Sequence, residues 1–199
     1  MLLKSVLISV LVPYFIGSIP SAVWAGRFFA GKDVRISGSG NAGATNVYRV
    51  LGIRPAIFVF VLDFCKGMLV VWVCWKWNLS FPWIIVAALF VVLGHVYPFM
   101  AGFSGGKGVS TAAGVLALVD PLSLIVALIV FGLIVWRFRL VSAASLTAGG
   151  VAFLTATAQI IFLNSSWVPV AVTGVFLAMI LVTHRANLLR LKSGLQPRI

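Results

Sequence analysis

The chain has 199 residues, 62% of them hydrophobic, and a mean hydropathy of +1.15, whereas soluble domains hold roughly 45–50% apolar residues. This excludes a soluble globular protein and leaves no length for a separate soluble domain, so 1–199 is expected to form a single integral-membrane domain. The 15 Lys and Arg against three acidic residues give +12; in a membrane chain that surplus reports topology first, and no nucleic-acid partner is expected.

Seven apolar segments can be cut out, at roughly 2–26, 54–75, 81–101, 108–119, 121–136, 141–163 and 167–183. The first ends at Gly26-Arg27 without an A-x-A cleavage site and reads as a retained span. In the second, Asp63 and Lys66 stand at i, i+3 on one helix face. Each alone would cost ~2.5–3.5 kcal/mol at the bilayer centre, so they are expected to pair within the bundle and not to relay protons. Cys65 and Cys74 share that run but would lie ~13 Å apart on a helix, too far for a disulfide. No Cys/His spacing suits zinc, and no metal or cofactor is expected. The fourth segment is weak: at ~18 Å of helix it is shorter than the ~30 Å hydrocarbon core, so it is either a short span or a re-entrant segment.

Placing the N-terminus outside makes 27–54, 102–107, 137–140 and 184–199 cytoplasmic. Those stretches carry Arg27, Lys32, Arg35, Arg49, Arg54, Lys107, Arg137, Arg139, Arg185, Arg190, Lys192 and Arg198, while the outside keeps only Lys4 and Lys76. The expected fold is therefore all-α and polytopic, with seven transmembrane helices, the N-terminus outside and the C-terminus cytoplasmic.

The remaining polarity falls in three islands, all cytoplasmic in this topology and so able to converge. The first, GSGNAGATN at 38–46, has no bulky apolar side chain. Its small residues let backbone N–H groups close on an anion, and the helix that follows presents its positive end. Thr45 and Arg49 share a face of that helix, and Arg offers a fork matched to phosphate. The second island, within 94–114, looks like a Walker A loop but departs from it. Ala101 stands where the first Gly belongs, and Gly108 stands where a Ser or Thr would hold magnesium. Glycines, Lys107, Ser110 and Thr111 still make an anion cradle. The third, 183–196, places His184 and Asn187 at i, i+3 on a helix leaving the last segment. The glycerolipid acyltransferase signature H-x4-D is absent: Met100 lies five residues after His95, and Leu189 five after His184.

Three stretches, GSGNAGATNVYRVLG at 38–52, GHVYPFMAGFSGGKGVSTAAG at 94–114 and HRANLLRLKSGLQ at 184–196, resemble the PlsY family of bacterial acyl-phosphate:glycerol-3-phosphate acyltransferases. GSIPSA at 17–22, Asp63-x-x-Lys66-Gly67 and Val141-Ser142 fit as well. The resemblance implies acyl transfer from acyl-phosphate, not acyl-CoA, to glycerol 3-phosphate. The product would be lysophosphatidic acid, the first acylation step of phospholipid synthesis, made at the cytoplasmic face of a bacterial inner membrane by a monomer embedded in the lipid bilayer. It implies that Ser37, Gly40, Asn41, Thr45, Asn46 and Arg49 hold the acyl-phosphate head group. Gly105, Gly106, Lys107, Gly108 and Ser110 would bind glycerol phosphate or its neighbour's charge, and His184, Asn187 and Ser142 would line the reacting centre. One departure is visible: the family's third motif ends in Gly-x-Glu, and here Gln196 replaces the acid.

A mixed anhydride already carries a good leaving group, so the site needs proximity, charge neutralisation and a proton acceptor. The acceptor is either His184 or a substrate phosphate, and the absence of a carboxylate beside His184 favours the phosphate. The competing class is a small transporter of organic anions. That would show broken helices and ionisable groups along a mid-membrane path, whereas here polarity is piled at one face.

Overall fold

The computed structural model describes residues 2–193; Gln196 lies outside the described residues. All regular structure among them is helical, in the order α1 (Leu2–Val6), a π-helical turn (Leu7–Leu11), α2 (Val12–Gly17), α3 (Ser21–Ala30), a 3-10 turn (Val34–Ile36), α4 (Ala44–Leu51), α5 (Ile53–Lys76), α6 (Phe81–Val96), a 3-10 turn (Phe99–Ala101), α7 (Val109–Val119), α8 (Pro121–Phe138), α9 (Val141–Leu163), α10 (Val168–Thr183) and α11 (Arg185–Lys192). The chain resolves into two compact units, Met1–Leu118 and Val119–Ile199.

Five of the expected seven apolar segments are helices long and apolar enough to cross a membrane: Leu3–Ala30, Ile53–Lys76, Phe81–Ala101, Pro121–Phe138 and Val141–Leu163. The other two are apolar but short, 11 residues in α7 and 16 in α10, or ~17 and ~24 Å at 1.5 Å per residue. The difference is physical: α7 starts only after the glycine loop has ended, and α10 ends where His184 leaves the helix.

In the first unit, small residues let the helices pack almost backbone to backbone, as membrane bundles do. A Cβ at Gly114 of α7 would meet the carbonyl oxygen of Phe64 on α5, and one at Gly67 would meet that of Thr111. A compact cluster of Ala22, Val23, Val34, Val47, Ala56 and Val59 joins α3, α4 and α5 behind the first island. Lipid-like exposure lies elsewhere on α5, where Ile57, Phe60, Val61 and Trp72 stay open. The expected Asp63–Lys66 pair is present at 2.6 Å and buried. Cys74 is buried and Cys65 exposed, both free thiols.

In the second unit, Asp120 caps α8 by accepting from the Ser123 amide at 3.1 Å. The same carboxylate takes both of its remaining contacts from Gln159 of α9, at 3.0 and 3.1 Å. The turn at 120–121 thus fixes α8 to α9 while Leu122, Ile125, Ile129 and Leu133 keep one face of α8 exposed.

Candidate active site

The first island is a loop folded around one amide. Asn46 is 1% exposed. Its Oδ1 accepts from the Ser39 amide at 2.7 Å and the Ser39 hydroxyl at 3.1 Å. Its Nδ2 donates to the carbonyls of Val34 at 2.8 Å and Ser37 at 3.1 Å. That accounts for two lone pairs and two N–H groups, the full capacity of a carboxamide. Asn46, expected to hold the acyl-phosphate head group, instead holds the loop. Gly38 is glycine because its φ is 65° and because a Cβ would strike Asn46 Oδ1.

Ser37, Gly40, Asn41 and Thr45, expected to hold the same head group, are half-buried or exposed. Arg49, one turn beyond Thr45 on α4, is partly buried, and burial pulls its pKa below the usual guanidinium value. A cation stripped of part of its water gains more from an arriving anion than a solvated one does.

The second island meets the first. The Ala42 amide donates to the Gly105 carbonyl at 3.3 Å. Arg35 Nη1 donates to the carbonyls of Ala101 at 2.6 Å and Ser104 at 3.1 Å, while its other guanidinium edge grips Asp33 at 2.7–3.1 Å. Hydrogen bonding from Arg35 holds the Asp33 carboxyl below its usual range. The two glycine loops are thereby clasped at one end of the first unit, as convergence requires. Lys107 is half-buried and followed by Gly108 at φ 81°. Ser110 is half-buried in the first turn of α7, and its neighbour Thr111 is fully buried.

In the second unit, His184 caps the C-terminus of α10 and is 2% exposed. Its Nδ1 lies 3.0 Å from the Ile180 carbonyl. A carbonyl only accepts, so that contact places a proton on Nδ1. Asn187 is half-buried on α11, three residues on. Ser142, in the first turn of α9, is 5% exposed, and its hydroxyl finds no hydrogen-bond partner among the described residues.

Two residues that shape the first unit's site were missed from the sequence. In the sequence Arg35 reads only as a topological charge, and His95 only as a histidine without the aspartate of H-x4-D. The signal available for Arg35 was its place just ahead of a loop with nothing apolar to hold it down. For His95 it was the partner carboxylate, Asp63, which no sequence spacing reveals.

Residues 7–194 match the family described as Glycerol-3-phosphate acyltransferase. A Listeria welshimeri protein named Glycerol-3-phosphate acyltransferase is 38% identical over all of this chain and 98% of its own length. Glycerol-3-phosphate acyltransferase 1 of Deinococcus radiodurans is 39% identical over 97% of this chain and 95% of its own. Among solved structures, PlsY (YgiH), an integral membrane glycerol 3-phosphate acyltransferase crystallised in its glycerol 3-phosphate form, superposes with a TM-score of 0.85 at 35% identity, covering 98% of this chain and 96% of that one. Its lysophosphatidic acid form gives 0.82 over 98% and 95%. With a fold and a nearly full-length match in common, this chain belongs to the glycerol-3-phosphate acyltransferase family of integral membrane proteins represented by PlsY.

Proposed function

We propose that this chain moves a fatty acyl group from acyl-phosphate to a hydroxyl of glycerol 3-phosphate. The hydroxyl oxygen attacks the acyl carbon, an ester C–O bond forms, the mixed-anhydride C–O bond breaks, and inorganic phosphate leaves with its electron pair. The products are lysophosphatidic acid and phosphate. The observation that carries the reading is the clasp of two glycine loops, bearing Arg49 and Lys107, in a chain of this family. Fixed cations and backbone amides aimed where charge develops are the main catalytic device a phosphoric leaving group needs. Ser37, Gly40, Asn41, Thr45 and Arg49 take one phosphate in this reading, with Asn46 shaping the loop. Gly105, Gly106, Lys107, Gly108 and Ser110 take the other, and His184, Asn187 and Ser142 line the reacting centre.

The attacking hydroxyl gives its proton to a substrate phosphate, and His184 positions the reactants. His184 is oriented by a neutral carbonyl; a carboxylate there would stabilise the imidazolium, and a carbonyl does so far less. The chain works as one membrane domain with the N-terminus outside, seven apolar segments, and its site on the cytoplasmic side of a bacterial inner membrane. The charge bias supports that orientation. Purified monomer in detergent should form acylated glycerol 3-phosphate from the two substrates, where transport has no meaning; no product would leave the anion-transporter reading in its place.

A further inference from the structure

A buried cluster beneath the second island has no part in the reaction just described. Ser21 opens α3, Asp63 and Lys66 lie on α5, His95 is near the end of α6, and Thr111 is in the first turn of α7. Lys66 Nζ donates to the Ile19 carbonyl at 2.6 Å, to Ser21 Oγ at 2.5 Å and to Asp63 Oδ1 at 2.6 Å. An ammonium has three N–H groups, so this one is committed to the protein. Ser21 donates to the same carboxylate oxygen at 2.5 Å.

His95 is 8% exposed, with Nδ1 3.2 Å from Thr111 Oγ1 and 3.6 Å from Asp63 Oδ1. The carboxylate favours the proton on Nδ1, which makes Thr111 the acceptor, while Nε2 on the other edge of the ring lies against Gly106. A Cβ added at Gly106 would run into that Nε2. The Gly106 amide also donates to the His95 carbonyl at 3.1 Å, and the adjacent Gly105 amide donates to the Val96 carbonyl at 3.1 Å. Ring and backbone of one residue therefore both bear on the glycine next to Lys107. The space between ring and turn is narrower than a methyl group. A small cavity lined by Ser21, Ala42, Asp63, His95 and Gly106 reaches from this cluster to both loops.

We propose that His95 is a positioning residue: held by Thr111 and Asp63, its ring sets the turn at 105–106 against the first island and so sets the affinity of that cradle for its phosphorylated substrate, without moving a proton. This rests on the reading that the 105–108 loop holds a substrate phosphate.

The test is steady-state kinetics in detergent for both substrates. His95→Ala, which leaves the turn unsupported, should raise the KM of one substrate about tenfold while kcat changes less than about threefold, a loss on the scale of one buried hydrogen bond. His95→Gln keeps a polar group against Gly106 and should recover most of that KM. Thr111→Val, isosteric and away from the loop, should raise the KM of the same substrate by about two- to tenfold. If His95→Ala does not fold, the Gln and Val variants carry the comparison. A kcat loss of about a hundredfold or more in both His95 variants, with KM unchanged, would mean proton transfer and overturn the proposal. A lowered melting temperature with both KM values unchanged would overturn it in favour of a purely structural role. Lys107→Ala separates the two levels. If it moves no kinetic constant, the phosphate reading fails; if it raises KM and the His95 and Thr111 variants do not, this inference alone fails.

Discussion

At Asn46 and His184, residue types chosen from sequence for substrate chemistry turn out to have different kinds of neighbour. Asn46 gives its whole amide to Ser39, Val34 and Ser37. The Asn was legible as necessary in GSGNAGATN, but its role was not, because that depends on where two backbone carbonyls arrive. His184 has a carbonyl on Nδ1, and that settles its orientation without a carboxylate. The proton question can then be put to one variant. An unperturbed imidazole titrates near ~6.5 and a phosphate monoester near ~6, so the wild-type pH–rate profile cannot tell them apart. His184→Gln should lose activity through positioning and yet keep the acidic limb of the profile, because the titrating group is on the substrate. Loss of the limb from the residual activity would assign the base to His184. Near-normal turnover would remove His184 from the site.

Among the elements, apolar runs and breaks placed the helices well, since burial and membrane thickness act on composition directly. Lengths were less legible where a loop consumes part of a run: α7 begins at Val109 because the 105–108 turn must first be built. Charge bias alone points to the convergence of the first two islands, while the parts that achieve it, Arg35 and the Ala42–Gly105 bond, are tertiary and leave no periodic trace. The Asp33–Arg35 clasp makes a prediction at this scale. Asp33 has a lowered pKa when folded, so it contributes stability that is full above the unfolded value of ~3.9 and is lost as pH falls through the folded pKa. Asp33→Asn should therefore melt below wild type at pH 7, with the gap closing as the pH drops below about 4. Equal melting at pH 7 would show that the ion pair does not hold the loops.

For the whole molecule, membrane class and helical fold followed from composition, because 62% apolar residues have no other way to be satisfied in so short a chain. The division into two compact units had no counterpart in the sequence: Asp120 looks like turn chemistry, and only its contact with Gln159 shows it as the anchor of the second unit. Orientation is open to direct measurement. With Cys65 and Cys74 replaced by alanine, Ser193→Cys should be labelled from the cytoplasm and Ser80→Cys from outside; labelling of both from one side would break the proposed topology. The choice of acyl donor bears most directly on the account. With no Walker A loop and no carboxylate cluster in the sequence, the purified enzyme in EDTA and without nucleotide should form lysophosphatidic acid from acyl-phosphate and glycerol 3-phosphate, and should fail with acyl-CoA at equal concentration. Robust turnover of acyl-CoA, or activity abolished by EDTA, would contradict it.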